Sequence, residues 1–293
     1  MPFSLTPNTQ YFFNTGSHQE AMNLLLVGLE NAAGFIKIVG EVGTGKTIIC
    51  RNLLNTLDER YVTAYIPNPH LTPAGMRIAL AEELGVQVSR NAGQHRVLAK
   101  INERLIELAG EGKLVVLFID EAQATPEDTI EALRLLTNLE TETQKLLQVV
   151  MFGQPELEQL LDRPSLRQLK QRITFSYDLQ PLSFVAMCQY VNHRVTVSGY
   201  NGEQLFDKRA LKLLFRASKG IPRLVNILAH KALMVTYGKG EHRVRRTFMR
   251  RAVKDTDGAF SWIFPFSKRW LFGTASSLLI AALTFIQLSY DIL

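Results

Sequence analysis

The clearest chemistry in this chain lies in Gly40-Glu41-Val42-Gly43-Thr44-Gly45-Lys46-Thr47, which fits the phosphate-loop spacing G-x-x-x-x-G-K-[ST] at every fixed position. Before it, Phe35-Ile36-Lys37-Ile38-Val39 is short, apolar and β-branched, as a buried strand is. After it, Ile48 to Leu54 continues at helical spacing. A glycine loop between strand and helix aims backbone N–H groups and the positive helix end at one point, which makes an anion cradle. Lys46 would reach the β- and γ-phosphates of a nucleotide, and the Thr47 hydroxyl would ligate Mg²⁺. As a phosphate ligand, Lys46 is expected to pack against nothing when nucleotide is absent.

A second acidic site decides between binding and hydrolysis. Leu114-Val115-Val116-Leu117-Phe118-Ile119 is apolar on both faces and ends in Asp120-Glu121. Such a run suits a central strand of a parallel sheet, whose C-terminal end opens beside the phosphate loop. Asp120 could hold Mg²⁺ through its hydration shell, and Glu121 could polarise a water for attack on the γ-phosphate. ATP and Mg²⁺ are the cofactors this pair of motifs calls for.

The elements that must position these residues follow from periodicity. Strands are expected at 35–39, 61–66, 114–119, 147–152 and 173–179, and a helix at 17–31. Further helices are expected near 46–57, 74–84, 94–109, 127–138 and 155–161. Strands alternating with helices mean a parallel sheet with right-handed crossovers. Past Pro181 the strands stop, and 183–198, 207–218, 222–237 and 244–254 all read as helices. The expected organisation is an extended lead-in at 1–16, an α/β nucleotide-binding domain at 17–181 and an all-helical domain at 182–257. A basic linker at 258–269, an apolar span at 270–288 and a short tail at 289–293 complete it.

Charge and composition bound the rest. Residues 1–238 carry 24 Lys and Arg against 23 Asp and Glu, whereas 239–269 carry 9 against 3. The net charge of +6 is therefore a local patch. Trp270 to Leu288 is 19 residues without a charge; as a helix it spans roughly 28 Å, close to a bilayer's hydrocarbon thickness. Trp262 and Trp270 before it and Tyr290 after it suit interfacial belts, and Lys268 and Arg269 put residues 1–269 on the cytoplasmic side. Met1 to Thr6 has neither the basic region nor the apolar run of a secretory leader. Cys50 and Cys188 form no disulfide framework, and the six histidines show no paired ligand spacing.

A phosphate-loop α/β domain followed by a small helical lid resembles the AAA+ ATPases. Glu41 to Thr47, Asp120-Glu121-Ala122-Gln123, Phe152-Gly153-Gln154-Pro155-Glu156-Leu157 and Gly220-Ile221-Pro222-Arg223 together resemble the ExeA/GspA-type secretion ATPases. Within that group the chain is most similar to the ATPase of the mannose-sensitive haemagglutinin type IV pilus system. The resemblance implies a five-stranded parallel sheet between helices, with a helical lid and a C-terminal transmembrane helix. It also implies an ATP-dependent homo-oligomeric ring at the bacterial inner membrane, with envelope or pilus-assembly proteins as partners. By the same resemblance Gln154 matches sensor 1, Arg223 sensor 2, and Arg172 the arginine finger, with Arg167 as its rival. Direct peptidoglycan binding is not carried over, because the sequence continues only five residues past the apolar span. Arg243, Arg245, Arg246, Arg250, Arg251 and Lys254 could meet anionic lipid headgroups or nucleic acid phosphates; their place before the apolar span favours lipid and makes nucleic acid the weaker reading. A DNA-binding regulator of the transposition-ATPase type is the alternative function.

Overall fold

In the computed structural model, residues 1–5, 9–14, 16–88, 93–138 and 145–259 are described. The apolar span 270–288, the tail and nearly all of the basic linker lie outside them. Among the described residues, no helix is long and apolar enough to cross a membrane.

The α/β domain opens with helix α1 (Gly16–Glu30) and strand β1 (Phe35–Gly40). It continues through α2 (Lys46–Thr56), β2 (Tyr61–Ile66), α3 (Pro73–Glu83), α4 (Gln94–Gly110) and β3 (Leu114–Ile119). It ends with α5 (Glu127–Leu136), β4 (Leu147–Gly153), α6 (Glu156–Leu161), the short α7 (Arg167–Lys170) and β5 (Ile173–Leu179). The strands form one parallel sheet in the order β2-β3-β4-β1-β5. Because side chains alternate across a strand, each strand feeds two cores. Phe35, Val39, Leu117, Ile119, Val149 and Met151 pack under α3 to α6. Ile36, Ile38, Val116, Phe118, Val150 and Phe152 pack under α1 and α2. The anomaly in β1 is Lys37, a cation in a buried central strand; it pairs with Glu158 of α6, which supplies the counter-charge burial demands.

Register brings the chemistry together. Val39 pairs with Gly153 and Ile119 with Met151, so β1, β3 and β4 end side by side. The residues that follow those ends are the phosphate loop, Asp120-Glu121 and Gln154. Strand β5 is one of the two edges: Ile173, Phe175 and Tyr177 are partly covered, while Thr174, Ser176 and Asp178 face solvent.

The lid contains α8 (Phe184–Val197), α9 (Lys208–Ser218), α10 (Pro222–Tyr237) and α11 (Arg246–Lys254). Its core is built from Met187, Val191, Phe206, Leu211, Leu214, Val225, Leu228 and Met249. Two expectations need correction. Helix α11 begins at Arg246 rather than at 244, because Val244 forms a parallel bridge with Phe206; its buried residues are Met249, Ala252 and Val253, with Phe248 only half-buried. The N-terminal lead-in is also more than an extended approach. It includes a 3₁₀ turn at Thr9–Tyr11, and Phe3 is buried in the lid core, edge-on to Phe206 with ring centroids 5.9 Å apart.

The first residue of the lid is tied into it by a backbone-on-backbone contact. The Leu182 N–H donates to the Gly220 carbonyl at 2.9 Å, and a Cβ at Gly220 would lie 2.1 Å from the Leu182 oxygen. Gly220 also has φ +77°, a backbone conformation that side chains disfavour. Gly220→Ala should therefore destabilise the lid by on the order of 2 kcal/mol, read as a lower urea midpoint. A midpoint equal to wild type would show that the contact yields freely.

Candidate functional site

The phosphate loop is shaped by its own backbone. Gly43 has φ +83°, and a Cβ there would lie 2.5 Å from the Arg223 Cβ, so only glycine lets the lid approach. Thr44 is fully buried, and its hydroxyl donates to the Glu41 carbonyl at 2.8 Å. The His18 ring, from α1, meets the Thr44 carbonyl through Nε2 at 3.1 Å and braces the loop from behind. Glu41 and Val42 remain exposed at the tip.

Lys46 departs from expectation. Its side chain is buried, and Nζ donates to the Gly40 carbonyl at 2.7 Å and the Glu41 carbonyl at 3.1 Å. A buried ammonium needs acceptors, and the loop's own carbonyls supply them. Burial lowers the Lys46 pKa, while the nearby carboxylates of Glu121, Asp120, Glu41 and Glu156 act in the opposite direction. Phosphate oxygens would replace those carbonyl acceptors.

Asp120 is buried at the end of β3. Its Oδ2 accepts from the Thr47 hydroxyl at 2.8 Å and from the Tyr65 hydroxyl at 3.4 Å, and its Oδ1 accepts from the Glu121 N–H at 2.9 Å. Burial, then the Asp120 charge, pushes the Tyr65 phenol up to about 12, so it stays a donor. A hydroxyl and a carboxylate in contact are hard oxygen donors, and they fit Mg²⁺, which takes few protein ligands alongside water and phosphate oxygens. When bound there, the ion would neutralise charge on the phosphate oxygens.

Glu121 sits on a left-handed residue, φ 50°, which turns its side chain out of the strand line. One oxygen, Oε2, accepts from Gln123 Nε2 at 2.6 Å and from Gln154 Nε2 at 2.8 Å. The Gln154 backbone N–H in turn donates to Gln123 Oε1 at 3.0 Å, closing a ring of three residues. Partial burial pushes the Glu121 carboxyl up, but the two glutamine hydrogen bonds and the Lys46 charge outweigh it and hold it below its ordinary value. The group is thus a carboxylate at neutral pH, oriented to accept a proton from a water on the phosphate side.

The lid supplies the facing wall. Arg223 lies in the first turn of α10, and its N–H donates to the Gly43 carbonyl at 3.2 Å. Between loop and lid is a cavity of about 320 Å³ lined by Lys46, Thr47, Glu121, Arg223 and, opposite, Tyr190, Arg194 and Asn226. Buried Arg194 is the hub of that wall: it donates to the Pro2 carbonyl at 2.6 Å, the Ser4 carbonyl at 3.2 Å and the Tyr190 hydroxyl at 2.7 Å. Tyr190 donates onward to Asn226 Oδ1 at 3.0 Å. Ser4 and Leu5 consequently edge the cavity.

Gly40, Gly43, Gly45, Lys46, Thr47, Asp120, Glu121, Gln154 and Arg223 therefore converge. Arg172 does not join them. It precedes Ile173, which pairs with Phe35 at the start of β1, whereas the loop leaves the opposite end at Gly40. Five strand steps separate those ends, about 16 Å. Arg172 is bound instead to Asn138, and Arg167 is exposed on α7. Sequence reasoning missed Gln123, Tyr65, Arg194 and His18. Gln123 stood in a quoted motif without a role, and nothing in spacing marks the other three.

Residues 29–161 match the AAA domain family. Over those residues the chain carries an AAA domain, the module of ATP hydrolases. The chain is 43% identical over 243 residues to General secretion pathway protein A of Aeromonas hydrophila, covering 83% of this chain and 44% of that protein. The chain thus spans less than half the length of that relative. Its fold is like that of Cdc6p from Pyrobaculum aerophilum, with TM-score 0.70, 17% identity, and coverage of 93% of this chain and 73% of the other. Drosophila ORC bound to DNA gives TM-score 0.62 at 18% identity, covering 86% and 65%. These two likenesses concern the fold alone.

Two outcomes test the site. Glu121→Gln keeps the shape and loses the base, so Mg-ATP should still bind while turnover falls on the order of a hundredfold or more. Near-normal turnover would mean that another group activates the water. The second concerns pH. Burial lowers the His18 pKa below its ordinary 6.5. The unfolded chain then takes up the proton first, and stability falls as pH drops below about 6.5. In His18→Gln, urea titrations at descending pH should lose that part of the slope; an unchanged slope would remove His18 as its source.

Proposed function

We infer that this chain is a membrane-anchored secretion-type ATPase that assembles on ATP and uses lid movement to remodel an envelope complex. The observation that carries the reading is the 43% identity to General secretion pathway protein A over 83% of the chain, which is too long to lie in the α/β domain alone. The finer assignment, to a mannose-sensitive haemagglutinin type IV pilus system with pilus-assembly partners, rests on the sequence motifs. The anchor is Trp270 to Leu288, with the ATPase domain on the cytoplasmic face of the inner membrane.

Assembly into a ring is supported by the position of Arg172. A cation at the sheet end remote from its own phosphate loop is out of reach of its own nucleotide, and as a finger it would act on a neighbour's, offsetting charge developing in the transition state. Arg167 is the alternative finger. Gln154 is suited to sense the γ-phosphate through Glu121, and Arg223 to report occupancy to the lid. DNA-binding regulation, the alternative, draws on Arg243, Arg245, Arg246, Arg250 and Arg251, and the likeness to Cdc6p and ORC, being of fold alone, adds nothing to it.

Mixing two inactive variants tests the assembly. Lys46→Ala should lose tight ATP binding, and Arg172→Ala should bind ATP yet fail to hydrolyse it in the assembled state. Combined, they should recover part of the activity, since each supplies what the other lacks. No recovery at any ratio would count against Arg172 as the finger. Alkali should fail to extract the full chain from membranes; its release would count against the anchor.

A further inference from the structure

Four cations from two lid helices line a single cavity. Arg209, Lys212 and Arg216 recur on one face of α9, and Arg246 closes the cavity from the start of α11. Its volume is about 120 Å³, and Leu213 is its apolar side. The two helices set off from a common anchor: Phe206 and Val244 form a bridge, the Asp207 N–H donates to the Val244 carbonyl at 3.0 Å, and the Val244 N–H donates to the Leu205 carbonyl at 2.8 Å. That anchor fixes Arg246 beside α9.

All four cations are exposed, and none takes part in an ion pair among the described residues. Neither α9 nor α11 has an acidic residue in its first turn. Asp207 is engaged as the N-cap of α9, and Glu241 pairs with Arg245. Gathering like charges around one cavity costs free energy that a bound anion would offset. By sequence, the basic excess lies in 239–269 and α9 belongs to the neutral remainder; the fold adds three α9 cations to that excess.

We propose that this cleft binds the phosphates of anionic phospholipid headgroups, which lays the lid against the membrane surface. The proposal rests on the membrane-anchored reading given above. Helix α11 is followed, through Lys268 and Arg269, by the uncharged segment that starts at Trp270. A chain anchored there holds α9 and α11 within reach of a bilayer, whose surface offers phosphates to several cations at once. No aromatic ring lines the cleft on which an unpaired base could stack.

The test uses the full chain in nanodiscs of phosphatidylcholine, alone or partly replaced by phosphatidylglycerol. Amide hydrogen exchange is followed over 208–218 and 246–254. Exchange should slow only in the anionic discs, and the effect should vanish at high salt and in the variant R209Q/K212Q/R216Q. That variant should keep wild-type ATP turnover, which serves as its folding control. Each charge removed should loosen the face about fivefold, and three on the order of a hundredfold. Equal exchange in both disc types would overturn the proposal, as would protection by a short DNA duplex with none by anionic lipid. The anchor is judged separately by alkali extraction: if the chain is released, the anchor falls, and the lipid dependence of exchange, measured with vesicles, still decides the cleft.

Discussion

The hydrogen bond from the Arg223 N–H to the Gly43 carbonyl is the constraint on which the rest of the molecule depends. It joins the first turn of a lid helix to the phosphate loop by backbone alone, at a separation no side chain on Gly43 would allow. The loop cannot rearrange around a phosphate without the start of α10 responding. On the lid side, Gly220 and Leu182 make a second close backbone contact. The entry of the chain into the lid and the contact with the phosphate loop thus meet within a few residues, at Gly220 and Arg223. A small change at the loop has a short lever through which to act on four packed helices.

The acidic half of the site is organised to keep two carboxylates apart in role. Asp120 is buried, with three donors around it and Thr47 in contact, as a cation ligand must be. Glu121 is only partly covered, and both glutamines crowd onto one of its oxygens. This arrangement fixes the carboxylate's direction and keeps it ionised, at the cost of basicity. Gln123 lies in the 3₁₀ turn that Glu121 caps and Gln154 follows β4, so the base is held both by its own turn and by the neighbouring strand.

Much of this was legible in the sequence. The strands were visible because a parallel sheet covered on both faces leaves unbroken apolar runs, as in Leu114–Ile119 and the stretch 149–152. The phosphate loop and Asp120-Glu121 were visible because their chemistry fixes spacing. What escaped depends on contacts distant along the chain. Arg194 reads as one more helical cation until Pro2 and Ser4 are seen against it, 192 and 190 residues away in sequence. Lys46 was expected to be free of packing because the motif assigns it only to phosphate, yet a buried ammonium must find acceptors. The start of α11 was placed two residues early because Val244 fits the helical stripe; its apolar side chain serves a bridge to Phe206 instead.

The most direct measurement is hydrogen exchange at the start of α10, Ile221 to Val225, with and without a non-hydrolysable ATP analogue and Mg²⁺. If the loop and lid are coupled through Gly43 and Arg223, these amides should slow together with those of the phosphate loop, by about tenfold or more at saturating ligand. Protection confined to the loop, with the start of α10 unchanged, would contradict the coupling.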